Sequence, residues 1–248
     1  MTVQVWCQTD VGLRRDNNQD SFLIDESLGL YLVADGMGGH RGGEVASKLA
    51  VETFRDVVQQ TLRESGARRP NARALIAKAY ERACAAIYDK SQEPGSDLQG
   101  MGTTLVAAFL MGDTLYIGNV GDSRAYLFSQ GQLWQMTEDH SLVNEQLRAG
   151  LLKESDVERF AAKNVITRSV GFEREVQVDI LERVVQPGDM IIICSDGLSG
   201  MVDDRQISQI CRDLAPKDVV SKCIDEAKAN GGDDNVTTLV LYAKPQAT

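Results

Sequence analysis

No apolar run in this chain approaches the length that spans a bilayer, and the first residues show neither the basic flank nor the apolar centre of a secretory signal. Basic residues do not dominate either. Against 36 Asp and Glu stand 26 Lys and Arg, and the formal charge of −10 argues against nonspecific binding to nucleic acid or an anionic membrane. The five cysteines, Cys7, Cys84, Cys194, Cys211 and Cys223, are odd in number and form no Cys-x-x-Cys pair. Neither a disulfide framework nor a zinc cluster is indicated, and a reducing cytoplasm is the default. With only two histidines, His40 and His140, a zinc or iron site has little to draw on. Repeats, low-complexity tracts and a convincing interdomain linker are also missing. One stand-alone domain over residues 1–248 is expected, with the 43% apolar and 25% charged residues of an ordinary globular protein.

The chain is organised around Leu30 to Gly43. Leu30 to Val33 is a short apolar run with a turn cluster after it, the signature of a buried strand. It delivers Asp35 at its end, followed by Gly36, Gly38 and Gly39, which allow close backbone approach to a ligand, and by His40. Helical periodicity begins directly afterwards. No Gly-Lys-Ser/Thr follows, so the stretch is not a nucleotide P-loop, and Asp35 would repel the pyrophosphate of a dinucleotide. A carboxylate in that position points to a cation.

In chain order, Val3 to Thr9 reads as a strand, 10–20 as a polar loop or irregular strand and Phe22 to Asp25 as a second strand. Two amphipathic helices follow, one from Glu44 to Leu62 and one around Leu75 to Ile87. Four strands then come quickly: Thr103 to Met111, Leu115 to Val120, Ser123 to Phe128 and Gln132 to Met136. Turns as short as Gly112-Asp113 and Gly121-Asp122 connect antiparallel neighbours. A helix capped by Ser141 or Asp139 precedes an irregular stretch, about 150–174, which reads as a surface flap. Met190 to Cys194 is a buried strand ending in Ser195-Asp196-Gly197. Two helices and a last strand, Val236 to Tyr242, close the chain. Helix pairs alternating with antiparallel strands predict an α+β fold, with sheets packed on each other and helices outside.

Asp20, Asp35, Asp122, Asp196 and Asp234 all fall in polar turns beside these strands. Hard divalent cations take oxygen ligands, so several carboxylates on one rim suit magnesium or manganese. The alternative is that Asp is favoured in turns for its local hydrogen bonding.

Five motifs in order decide between these readings: Arg15-Asp-Asn-Asn-Gln-Asp20, Asp35-Gly-Met-Gly-Gly-His40-Arg-Gly-Gly, Gly121-Asp122-Ser-Arg124, Ser195-Asp196-Gly197 and Gly231-Gly-Asp-Asp234-Asn235. Together they resemble the metal-dependent protein phosphatases, the type 2C serine/threonine phosphatase family, in its bacterial style. The resemblance runs from about Thr9 to Tyr242 and implies a four-layer α/β/β/α sandwich of two mainly antiparallel sheets flanked by helix pairs. It implies Mg²⁺ or Mn²⁺, with two core ions and a third, weaker one. Asp35 would bridge the core ions and the Gly36 carbonyl would ligate one of them. Asp196 and Asp234 would complete the shell of the second metal ion, and Asp20 would hold the metals directly or through water. Asp122 would share the third ion with Asp196. Gln19 departs from the acidic ligand many eukaryotic relatives carry there. Arg15 would grip the substrate phosphate, and His40 would be the general acid for the leaving alkoxide. The implied activity is hydrolysis of phosphoserine and phosphothreonine in proteins by a metal-activated water, opposing a serine/threonine kinase in signal transduction. A monomer is expected. A catalytically silent phosphoprotein-binding module and a small-molecule phosphate ester hydrolase are the competing readings. For His140 and the segment Thr167-Arg168-Ser169, structural roles are expected.

Overall fold

A computed structural model describes residues 2–38, 42–66, 68–160, 162 and 165–245. Eleven strands form two sheets: β1 (Val3–Asp10), β2 (Asp20–Asp25), β3 (Leu30–Met37), β4 (Gly102–Thr103), β5 (Leu105–Met111), β6 (Thr114–Val120), β7 (Arg124–Ser129), β8 (Gln132–Gln135), β9 (Asp179–Val184), β10 (Met190–Cys194) and β11 (Val236–Ala243). One sheet has the order β1-β11-β10-β7-β8 and the other β2-β3-β5-β6-β9, with β4 pairing β3. Every paired strand is antiparallel to its neighbour.

The layers follow from alternation along the strands. Successive side chains point to opposite faces, so Tyr31 and Val33 pack between the sheets with Ile191, Ile193, Leu239 and Leu241. Leu30, Leu32 and Ala34 of the same strand face α1 (Gly42–Ser65) and α2 (Ala72–Ser91) instead. In α1 the buried Ala46, Ala50, Phe54 and Val58 recur every four residues, one stripe of the helix. Phe54 meets Tyr80 of α2 edge-on, with ring centroids 5.3 Å apart. The other sheet is covered the same way: Ile192, Cys194, Val236 and Val240 pack against Ile207 of α5 (Asp204–Asp213) and Val220 and Ile224 of α6 (Pro216–Ala229). A capping box between Asp203 and Gln206 starts α5, and Pro216 opens α6. The four-layer α/β/β/α sandwich expected from the sequence is the observed architecture. Two shorter helices complete it, α3 (Leu142–Arg148), capped by Ser141, and α4 (Asp196–Ser199).

Three local differences concern the site. First, β3 does not stop before Asp35 but runs through Asp35, Gly36 and Met37, because the pairs Gly36–Thr103 and Met37–Gly102 extend it. Second, Asp20 is not in a loop: it opens β2 and sits directly opposite Asp35. Third, Gly121-Asp122 is not a hairpin turn. Strands β6 and β7 lie in different sheets, and the chain crosses from one to the other here. Gly121 turns with φ +106°, and a Cβ there would stand 2.6 Å from Thr104.

Candidate active site

The predicted carboxylates reach one rim from both sheets. Asp20 and Asp35 come from β2 and β3, Asp122 from the crossing after β6, Asp196 from the first residue of α4 and Asp234 from the turn before β11. A cleft of about 500 Å³ is lined by Arg15, Asp35, Gly36, Asp196 and Asp234, with Asn17, Gln19 and Asn235 around them. Asp20 and Asp122 are not part of that lining, though each acts electrostatically on Asp35. The structure therefore gathers the set in two tiers.

Charge and burial dominate the centre. Burial pushes the Asp35 carboxyl well above its ordinary value, and Asp20, Asp196 and Asp122 push it further. Burial also lifts Asp20 to about 7, reinforced by Asp196 and Asp234 and opposed by hydroxyls donated from Thr237 and Ser195. Asp122 rises to about 7 from burial and from Asp196 and Asp139. Asp196 is raised by burial and Asp234, while its hydrogen bond with Asp35 works the other way. Two carboxyls that share a hydrogen bond cannot both ionise without a compensating cation. Two arginines among the described residues offset part of this charge: Arg124 acts on Asp122 and Asp196, and Arg15, which also acts on Asp196, donates to Asp234 Oδ2 at 2.7 Å from an exposed position at the rim.

Does this set suit a divalent ion? Five buried side-chain oxygens among the described residues have no hydrogen-bond partner, and three of them are Asp20 Oδ1, Asp122 Oδ1 and Asp196 Oδ1. A buried carboxylate oxygen left unpaired is costly unless something positive meets it. The donors are all hard oxygens, as magnesium and manganese prefer. No three described Asp, Glu, His or Cys side chains already converge as a complete shell. A site using one or two carboxylates, a main-chain carbonyl and water does not need that, and magnesium is ordinarily held so. The residues fit.

Several residues without an assigned role in the sequence hold this geometry. Ser195 and Thr237 donate to Asp20 Oδ2 at 2.8 and 2.6 Å, which leaves Oδ1 free to aim elsewhere. Asn235 clamps the 10–20 loop: its side-chain amide donates to the carbonyls of Val11 and Asn17 at 2.9 Å, and its oxygen accepts from Gln19 N–H at 2.8 Å. Gln19 contributes mainly through its backbone, accepting from Gly36 N–H and the Ser47 hydroxyl. Thr104 Oγ1 accepts from Asp35 N–H at 2.9 Å. The one visible signal was the position of Asn235 inside the last motif.

His140 has the structural place expected of it. Buried beside the crossing, its Nδ1 accepts from Gly121 N–H at 3.1 Å, so the neutral ring carries its proton on Nε2, 3.0 Å from Asp179. Arg14 lies outside the cleft lining, 3.8 Å from Asp233. His40, the candidate general acid, lies outside the described residues, together with Gly39 and Arg41.

Two antiparallel sheets packed between helix layers, with an all-oxygen carboxylate centre at one rim, are the architecture of the metal-dependent protein phosphatases. Residues 13–230 match the family described as Protein phosphatase 2C, and the chain belongs to that family. It is 38% identical to the serine/threonine phosphatase stp of Listeria monocytogenes serotype 4b, over 94% of this chain and 93% of that protein. It is 34% identical to the protein phosphatase PhpP of Streptococcus pneumoniae, over 94% of each chain. Among solved structures, the Mycobacterium tuberculosis serine/threonine phosphatase PstP/Ppp superposes with a TM-score of 0.89 at 32% identity, covering 99% of this chain and 100% of that one. The catalytic domain of PstP in complex with two manganese ions gives a TM-score of 0.85 at 32% identity, covering 98% of this chain and 99% of that one.

Proposed function

We propose that this chain is a serine/threonine protein phosphatase dependent on magnesium or manganese, hydrolysing phosphoserine and phosphothreonine in proteins. One observation carries the reading: buried aspartate oxygens without partners, that of Asp196 in the lining itself, gather at an open cleft whose described lining includes Arg15. Asp35, the Gly36 carbonyl, Asp196 and Asp234 would hold two core ions, with Asp20 behind them and Asp122 with Asp196 at a third. Bound there, the ions supply Lewis acidity and a water nucleophile near neutral pH.

The chain's own residues account for the rest. Ser195 and Thr237 orient Asp20, and Asn235 holds the loop that presents Arg15. Arg15 can exchange its bond to Asp234 for two phosphate oxygens, since a guanidinium matches a phosphate bidentately. His40 donates a proton to the departing serine or threonine oxygen. Because both sheets contribute carboxylates, we take residues 1–248 as one catalytic unit, with about 150–174 as a flap beside the cleft. One chain builds the whole cleft, which supports action as a monomer. Five free thiols suit a reducing cytoplasm, and no described helix is long and apolar enough to cross a membrane.

The test is phosphate release from a phosphothreonine peptide and from a sugar phosphate, each with manganese and with chelator. Metal-dependent turnover confined to the peptide is expected. Peptide binding without turnover would mark a silent binding module, and preference for the sugar phosphate a metabolite hydrolase.

A further inference from the structure

A second concavity of about 430 Å³ adjoins the carboxylate cleft, and Met37 and Ile166 line both. Its far side includes Arg168, Phe172, Glu173 and Glu175. This wall is tied to the metal-proximal strand. Gly36 pairs with Thr103, and Thr103 and Val170 exchange main-chain hydrogen bonds of 3.0 and 2.8 Å. Two strand spacings of ~4.8 Å therefore set Val170, buried between the lining residues Ser169 and Phe172, about 10 Å from Gly36.

The charge on that wall is unbalanced. Arg168 is engaged, donating to Asp179 at 3.2 Å, and the neighbouring Arg174 pairs with Asp89 at 3.1 Å. Among the described residues neither Glu173 nor Glu175 has an ion-pair partner. Phe172 is 60% exposed beside them. An aromatic face in water next to two unpaired carboxylates fits a long cationic side chain. Its methylene stem can cover the ring while its head reaches the acids.

We infer that this concavity is a subsite for a Lys or Arg side chain of the phosphoprotein, about three residues from the phosphorylated one. The spacing follows from the ~10 Å offset and the ~3.3 Å rise per residue of an extended peptide. An acidic side chain at the same position meets like charge, so the subsite discriminates by repulsion as well as attraction. This inference rests on the phosphatase reading above.

The experiment scans a single Arg, and separately a single Glu, through five positions on either side of phosphothreonine in a neutral peptide, using the manganese-loaded enzyme. An Arg about three residues away, on one side only, should raise kcat/KM about tenfold through KM, the combined size of an exposed cation–π contact and ion pair. The double variant Glu173→Gln/Glu175→Gln should lose that preference, with its turnover of p-nitrophenyl phosphate read alongside to normalise for folding and metal loading. Glu52→Gln on α1, far from the cleft, should keep it. A preference of equal size at every position, or one that survives the double variant, would assign the effect to the net charge of the whole chain and overturn the subsite. If neither the peptides nor p-nitrophenyl phosphate is hydrolysed, the phosphatase reading fails. Fluorescence anisotropy of the same peptides then still decides the subsite, by whether the Arg peptide binds more tightly to the parent than to the double variant.

Discussion

Stripping the metals and raising the pH should destabilise this protein, and the size of the loss can be worked out. Asp20 and Asp122 titrate near 7 in the folded chain, against an ordinary value of 3.8. Between those values the folded state holds protons that the unfolded state has released. Stability contributed by a raised acid is complete below its unfolded value and disappears as the pH climbs through the folded one. From pH 5 to pH 7 a single such group removes about 2.3 kcal/mol, at 1.36 kcal/mol per unit and allowing for half-deprotonation at the folded value. The neighbouring carboxylates share one field, so the two losses do not add in full, and a total of about 2–4 kcal/mol is expected. In a chain of this size that is roughly 5–15 °C in Tm. Asp10, Asp25 and Asp179 are shifted the opposite way, below their ordinary value, so their contribution is already complete by pH 5. The assay is a set of thermal melts in chelator from pH 5 to 8, repeated with manganese. The melting temperature should fall with pH in chelator and recover with metal. Asp20→Asn should flatten the fall by about one proton's worth. A chelator Tm that stays level or rises over this range, or an unchanged slope in Asp20→Asn, would refute the electrostatic reasoning.

Three further outcomes follow from the proposed roles. Asp35→Asn and Asp196→Asn should each leave a folded protein but lower manganese-dependent turnover by more than about 100-fold, the upper effect of merely losing an outer-shell partner; steady-state kinetics with circular dichroism checks both halves. Arg15→Ala should raise KM for a phosphopeptide about 10- to 100-fold, as expected for a charge-assisted bidentate contact, with a smaller change in kcat. His40→Ala should slow phosphopeptides more than aryl phosphates, whose leaving groups hardly need a proton, and equal losses on the two would count against a general acid.

How much of this was visible in the sequence depends on the kind of interaction. Asp35, Asp196 and Asp234 follow or precede apolar runs that define strands locally, so their arrival at strand ends could be read from the residues around them. The continuation of β3 through Gly36 could not, since glycine is depleted in strands and the pairing partner, Gly102–Thr103, lies far along the chain. Gly121-Asp122 has the composition of a hairpin turn. What makes it a crossing is His140, whose ring accepts from Gly121 N–H and whose own N–H donates to Gly121 O at 2.9 Å, replacing a strand partner. Ser195, Thr237 and Asn235 left no periodic trace because single side-chain hydrogen bonds have no period. The layers were legible because burial repeats along an element; the shell behind the carboxylates was not, because it is assembled from lone contacts.

The tightest constraint on the centre is steric. A Cβ at Gly36 would fall 2.0 Å from the Gly43 carbonyl oxygen, and one at Gly43 would fall 2.6 Å from the Gly36 oxygen and 2.9 Å from the Gln19 side chain. Strand β3 and the start of α1 are thus in direct backbone contact, reinforced by Gly43 N–H donating to Gly38 O at 3.0 Å. Gly43→Ala has to move the very carbonyl proposed as a metal ligand, because the two nearest obstructing atoms, the carbonyl oxygen and carbon of Gly36, are main chain and cannot rotate away. Overpacking of this kind costs about 1–3 kcal/mol. The discriminating quantity is the metal response. If the Gly36 carbonyl ligates an ion, Gly43→Ala should shrink the manganese-induced rise in Tm and weaken manganese affinity by calorimetry. A variant that is merely less stable, with the full manganese response intact, would remove Gly36 from the shell and leave the contact a matter of packing alone.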